Sequence, residues 1–406
     1  MIDTVIIGAG VAGLSCAKRL HEAGRGFLLC DGADRVGGRV ATDLCDGFLL
    51  DRGFQVLLTA YPEARRQLDD EALDLRKFYP GARIRHAGRW HRVSDPFRHP
   101  VDAMLGIFSP IGTFADKLRV GRMRLENFAF PELGPEVATL AALESKGFSR
   151  AMIERFFRPF LGGVFLENAL STTVRKFEFV MRYFAQGDTA VPAHGMGEIP
   201  RQLARNLPPS SLRLSTRVAS LGENEVRFAD GTSLACRSVV IATDELEARR
   251  LLGGGGPAPA GNSVCCLYFS TAVAPVGEAI IVLNGDGAGP IHHLAVMSAV
   301  SAEYAPAGRH LVSVNVIDRE EIKAPDLEAR VRRQLVEWFG AGVDAWELLR
   351  IYQIDHAVPS QPGWVEKPPR VRKGVYACGD HCGIASLNTA MASGRAAAEA
   401  LMEDLS

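Results

Sequence analysis

The spacing of apolar and polar positions changes several times along the chain, and each change marks an element. Val5 to Ile7 form a short β-branched run that stops at Gly8, and Gly8-Ala9-Gly10-Val11-Ala12-Gly13 then opens an Ala- and Leu-rich stretch through about Leu20. This order predicts strand, tight turn and helix. "GFLLCD", ending at Asp31, adds a second short strand and completes a βαβ unit. From about Phe114 to Phe184 helical spacing dominates, in "DKLRVGRMRLENF", "TLAALESKGFSRAMIERFFRPFLGGVF" and "TTVRKFEFVMRYFA". Strand patterns return in "LRLSTRVASL", "EVRFADGTSLA" and "SVVIAT", with Asp230-Gly231 as a hairpin turn. "GGGGPAPAG" (253 to 261) reads as a linker. Beyond it lie strand-like pieces, "SVCCLYFS", "AIIVLN" and "HLVSVNVI", a helix near Leu327 to Phe339, a last strand "GVYACG" and a final helix.

The simplest assembly is an α/β protein whose nucleotide domain is drawn from three separated segments, 1–75, 190–260 and 345–406. A second, α+β domain is inserted in two pieces, 76–189 mainly helical and 261–344 mainly sheet. A chain of 406 residues, 47% apolar and 23% charged, is long enough for two cores. Its formal net charge of -1 lacks the basic excess of a general nucleic-acid binder. No basic leader precedes the first strand and no apolar run reaches the roughly 18 residues of a membrane span, so a cytoplasmic protein is expected. The eight cysteines are scattered, mostly inside apolar runs, as free thiols in a reducing compartment are.

The G-x-G-x-x-G run follows a strand, opens a helix, and has Asp31 21 residues after Gly10. In that context Gly8 allows the tight turn, Gly10 lets backbone approach a pyrophosphate, and Gly13 permits close helix packing. Ala12 lies in the first turn, where unpaired N–H groups and partial positive charge favour an anion, and Asp31 suits a ribose diol. This motif alone does not separate NAD from FAD.

The next segment does. "DRVGGRVATDLCDGFLLDRGFQ" carries R-x-G-G-R at Arg35 to Arg39 and G-F-x-x-D at Gly47-Phe48 to Asp51. With these motifs the sequence resembles the flavin amine oxidase superfamily, which includes protoporphyrinogen oxidases and phytoene desaturases. The family usually has Glu where Asp31 stands. "VPAHGMGEIPRQLA" is similar to the family's P-x-G-G-M segment, with His194 in place of the first glycine, and "FFRPFLGGVFLE" resembles a helical substrate-domain motif of desaturase-type members.

The resemblance implies a Rossmann-like, GR2-type FAD domain with an inserted substrate domain, and dissociable, noncovalent FAD. By the same resemblance Arg39, with Arg35 and Gly38 in its loop, faces the cofactor phosphates, and the Val218 backbone meets the adenine. Gly379 and Asp380 take the ribityl and pyrophosphate region, while Ser386, Leu387 and Thr389 form the helix entrance at the flavin edge. The implied activity is removal of a hydride from an amine, a porphyrinogen-like or a polyene-like substrate to the flavin, with oxygen or another acceptor reoxidising it. Alternatives are a noncatalytic FAD-scaffold binding protein and an NAD(P)-linked flavin reductase. No match to a flavinylation cysteine or to the lysine some amine-oxidising relatives hold near flavin N5 stands out, and the candidate catalytic residues are His194, His292 and Gln55.

Other features read as structural. Cys265-Cys266 alternate along a strand, and of His292-His293, which as strand neighbours would point to opposite faces, at most one would face a substrate. Cys378 and Cys382 follow from a strand-to-helix crossing better than from a redox couple. Phe156, Phe157, Phe160, Phe165, Phe177, Phe179 and Tyr183 suit a core, with some free to line a substrate cavity. "AMLGIFSPIGTF" (103 to 114) suits a packed loop and helix, with a peripheral membrane contact as the alternative. The histidines show no metal-ligand spacing. A small-molecule substrate and no nucleic acid are the expected partners; oligomeric state is open.

Overall fold

The computed structural model describes residues 2–105, 109–126, 136–363 and 366–405. Two large sheets organise them. In the first, Leu212–Arg213, Phe27–Cys30, Ile2–Ile7, Ser233–Ile241 and Val375–Ala377 run parallel, and an antiparallel hairpin, Val218–Leu221 with Glu225–Phe228, extends one edge. Parallel strands buried on both faces explain the continuous Val and Ile runs. Ile6, Leu29 and Val240 pack on one face with Leu14, Ala17, Ala397 and Leu401. Their neighbours Val5, Leu28 and Val239 pack on the other with Val226, Phe228 and Ala248.

Ser233–Ile241 is one strand, where "SLA" and "SVVIAT" suggested two. Its start pairs with the hairpin and its end with Ile2–Ile7 and Val375–Ala377. "LRLSTRVASL", in contrast, splits into Leu212–Arg213 and Val218–Leu221, because Ser215 takes a left-handed conformation between them (φ 52°).

The second sheet has the order Glu347–Pro359, Gly261–Thr271, His310–Val316, His293–Val296, Ile281–Asn284, Gly81–His86, Arg89–Ser94. Glu347–Pro359 therefore belongs with this sheet, pairing along Gly261–Thr271, although it lies in the segment 345–406 expected in the nucleotide domain. The alternating polar positions of that strand had no local signal for which sheet they would join. Cys265 and Cys266 do alternate, falling into different apolar clusters. Helix Leu327–Phe339 covers this sheet through Val331, Leu335 and Trp338.

A helical group comprises Phe114–Glu126, Thr139–Ser145, Val174–Gln186 and the continuous run from Arg150 to Phe165, which contains a π-helical turn at Ile153–Phe157. Gly147, at φ 79°, separates two helices where the sequence suggested one. Of the 103–114 stretch, residues 106–108 lie outside the described residues; Ile111 is buried, whereas Phe114 is 61% exposed, so internal packing holds for only part of it. No helix among the described residues is long and apolar enough to cross a membrane.

Candidate functional site

The turn after Ile2–Ile7 shows why its glycines are spaced as they are. A Cβ on Gly13 would lie 1.9 Å from the Gly8 carbonyl oxygen, so this position is closed by backbone. A Cβ on Gly10 would meet nothing within 4 Å, so this one faces open space. The space is a cavity of about 1110 Å³ reached by elements of both sheets and by the helical group.

The R-x-G-G-R loop is fastened directly to the turn. Gly37 N–H donates to the Ala9 carbonyl at 2.8 Å, and Gly38 stacks against Gly10. Asp31 receives the Ala9 N–H at 2.6 Å and the Ala33 N–H at 2.8 Å, leaving lone pairs on both carboxylate oxygens for a further donor. Arg35 reaches the Val36 and Gly38 carbonyls at 3.4 Å. Arg39 crosses the cavity wall to donate to Asp380 at 2.6 Å and to the Ala357 carbonyl at 2.8 Å. Burial works to raise the Asp380 carboxyl, but the Arg39 guanidinium, with His381 and Lys176, holds it below the ordinary range. Two residues more than 340 positions apart thus form one ion pair at the cavity.

Gly8, Gly10, Ala12, Asp31, Arg35, Gly38, Arg39, Val218, Gly379, Asp380, Ser386 and Leu387 all line this cavity. Gly13 and Thr389 do not. Gly13 packs turn against helix, and the Thr389 N–H is capped by Ser386 Oγ at 3.1 Å at the start of helix Leu387–Asp404. Among the catalytic candidates, His194 is exposed and lies outside the lining. Gln55 lines the cavity, but its amide N–H groups are occupied by the Arg39 and Arg52 carbonyls at 2.9 and 3.0 Å, so it braces the arginine loop. His292 precedes its strand and does not line the cavity; His293 does. Their rings meet, Nδ1 to Nδ1, at 3.0 Å, which strand alternation had seemed to forbid. Burial drives both imidazoles towards the neutral form, His293 down to about 4. The two glycines of "FLGGVF" make room for them: a Cβ on Gly162 would come within 2.8 Å of His292 Nε2, and one on Gly163 within 3.2 Å of His293 Nδ1.

Another part of the cavity lining is aromatic. The π-helical turn sets Phe156 and Phe160 in a stack, 5.5 Å apart with planes 5° from parallel, and Phe160 meets Phe184 at 5.3 Å. Phe157 also lines it, while Phe165, Phe177, Phe179 and Tyr183 lie outside the lining.

Two polar residues of the lining escaped the sequence reading, Lys176 and Asn315, whose buried Oδ1 has no partner among the described residues; of the His292-His293 pair, of which at most one was expected to face a substrate, only His293 lines the cavity. A signal for Lys176 existed. It shares a helical stripe with Val180 and Phe184, and a lysine on an apolar stripe is out of place. Lys176 is 2% exposed, and burial pulls its ammonium down to about 8 against the pull of Asp380 and Glu167.

Asp51, the end of the G-F-x-x-D motif, plays a structural part. It accepts from Thr42 Oγ1 at 2.5 Å, Met196 N–H at 3.0 Å and Tyr304 OH at 2.8 Å, while its carbonyl accepts from Tyr268 OH at 2.8 Å. Burial pushes its carboxyl up to about 6. The motif therefore ties three distant segments together beside the cavity. Cys378 and Cys382 are free and buried, and burial pushes both thiols up, Cys382 to about 12, which makes thiolate chemistry unfavourable. No cluster of three metal-ligating side chains occurs among the described residues.

The sequence pattern of flavin containing amine oxidoreductases matches residues 11–402. Coproporphyrinogen III oxidase of Propionibacterium freudenreichii is 24% identical over 401 residues, covering 80% of this chain and 74% of that protein. Phytoene dehydrogenase of Streptomyces griseus is 29% identical over 284 residues, covering 61% of this chain but only 55% of that one. In three dimensions the chain superposes on an oxidoreductase of Methanosarcina mazei with a TM-score of 0.76 at 17% identity, over 99% of this chain and 100% of the other. At that identity the likeness is one of fold.

Proposed function

The chain belongs to the flavin containing amine oxidoreductase family, and from that premise we propose that its large cavity holds FAD along the glycine and arginine loops and a lipophilic organic substrate along the aromatic wall. It is an FAD-dependent oxidoreductase. The observation that carries the assignment of sides is the open face at Gly10. There the backbone is free of side chains, the first turn of helix Val11–Glu22 presents unpaired N–H groups, and Arg35 lines the same wall with only carbonyl partners at 3.4 Å. A diphosphate fits that chemistry. The strand and helix order around it supports a Rossmann-like, GR2-type cofactor domain, with the seven-stranded sheet and helical group as the substrate domain.

FAD held there would supply the electron acceptor for removal of a hydride from substrate carbon. The protein's part is placement. Asp31 would hold the ribose, the Val218 backbone the adenine, and Arg39 with Asp380 the centre of the cofactor. The N-terminal turn of Leu387–Asp404 offers positive potential beside Ser386 and Leu387, where negative charge from reduction is stabilised. The stacked Phe156 and Phe160 would exclude water and orient a planar or extended apolar substrate. The buried, unreactive Cys378 and Cys382 weigh against disulfide reduction. The cofactor is proposed to be noncovalent.

Porphyrinogen, polyene and amine substrates are all within the family's reach. The test is anaerobic: purified protein should be yellow, and one of a porphyrinogen, a polyene or a hydrophobic amine should bleach the flavin band. A colourless protein that takes up no added FAD would overturn the proposal.

A further inference from the structure

Resting on the proposed division of the cavity, we infer that Lys176 is the recognition residue for an acidic group on an otherwise apolar substrate, with a carboxylate as its partner. Lys176 is 2% exposed and lines the cavity, and its Nζ has no hydrogen-bond or ion-pair partner among the described residues. Its one close neighbour of note is the Phe165 ring, with the ammonium 5.6 Å from the centroid. A buried charge left without a counter-ion is strongly destabilising, so its retention on a cavity wall points to a counter-ion that arrives with a ligand.

The helix adds to this. Thr173 caps Val174–Gln186, which sets Lys176 in the first turn, where the helix end is itself positive and a cation is disfavoured. Two carboxylates act on the ammonium without touching it. Asp380 is committed to Arg39 at 2.6 Å, with His381 beside it. Glu167 accepts the Thr172 N–H at 3.0 Å through one oxygen and is absent from the cavity lining. Two other cations lining the cavity are matched: Arg52 by Asp43 at 2.9 Å and Arg98 by Asp188 at 3.0 Å.

Against this background the three substrate classes separate. A protonated amine would be repelled by Lys176, and a neutral polyene would leave it unsatisfied. A ligand with an apolar body for Phe156, Phe160 and Phe184 and an acid at the Lys176 end satisfies both. With its ammonium pulled down only to about 8, Lys176 is still mostly charged at pH 7.

Calorimetry on the holoenzyme with 2-naphthoate, 2-naphthamide and 2-naphthylmethylamine tests this. At pH 7 the acid should bind about 10-fold or more tighter than the amide, the strength of one charge-assisted contact, and the amine should bind weakest. The acid preference should fade as the pH rises through about 8, because the ammonium is then lost. Lys176→Met should abolish the preference with FAD content unchanged, whereas Lys176→Arg should keep it and carry it to pH 9.5. Equal binding of acid and amide, or a preference that survives in Lys176→Met, would overturn the inference. So would a Lys176→Met protein whose flavin reduction potential shifts while its acid-to-amide ratio does not, since the ammonium would then serve the cofactor. Calorimetry reads the ratio with or without flavin, so absence of FAD would defeat the proposed function while the acid preference still decides this inference.

Discussion

Arg39 and Lys176 face the same cavity in opposite conditions. Arg39 has a carboxylate at 2.6 Å and a carbonyl at 2.8 Å, while Lys176, more deeply buried, has neither. The same contrast runs through the two walls. Along the glycine and arginine loops, polar side chains are tied to nearby backbone: Asp31 to two N–H groups, Gln55 to two carbonyls, Arg35 to two more. Along the aromatic wall, Lys176 and Asn315 Oδ1 lack partners among the described residues, beside Phe156, Phe157, Phe160, Val180 and Phe184. A wall whose side chains are held in place by its own backbone suits a ligand that is always the same. A wall with polar groups in reserve suits a ligand that must be chosen, because an unmet polar group penalises every molecule that fails to satisfy it.

The largest predicted break comes from the turn. Gly13→Val places a side chain against the Gly8 carbonyl, where even a Cβ would sit at 1.9 Å, and is expected to yield no folded protein by circular dichroism. Gly10→Val, three residues earlier, should fold and melt with the FAD-free parent protein, because its Cβ meets nothing within 4 Å. If both variants fold equally well, the packing role of Gly13 is wrong.

Next in size is Asp51→Ala. It leaves Thr42, Tyr304 and the Met196 N–H without their acceptor in the buried joint between three segments. Destabilisation of about 3–5 kcal/mol is expected from urea unfolding, in line with removal of one member of a buried charged network. A loss below about 1 kcal/mol, the size of a typical single hydrogen bond, would show that the joint is not a network.

The two walls also differ in how far the sequence revealed them. The glycine turn, Asp31 and the arginine loop lie within forty residues, and their contacts are between backbone groups whose spacing the motif records. Gly379, Asp380 and the Ser386 cap are remote but sit at a strand-to-helix crossing of the same kind. The substrate wall draws on segments near 54, 156, 176, 264, 293, 315 and 352, and no local period links them. Gly162 and Gly163 read as part of a helical motif, yet their use is to seat His292 and His293, 130 residues away. Glu347–Pro359, within the segment 345–406 expected in the nucleotide domain, pairs along Gly261–Thr271 instead, because pairing partners of a long strand are set by tertiary register rather than by its own pattern. His194 drew attention as a departure from a glycine motif, but it is a surface side chain.

The division of the cavity has one direct measurement: FAD bound per chain, by absorbance after desalting, in Arg39→Met and Phe160→Ala. Arg39 belongs to the cofactor wall, so Arg39→Met, which also strips Asp380 of its partner, should lose most of its FAD. Phe160→Ala should keep one FAD per chain and lose affinity for an apolar ligand instead. A Phe160→Ala protein that sheds FAD as completely as Arg39→Met, or an Arg39→Met protein that retains it fully, would contradict the assignment of the two walls.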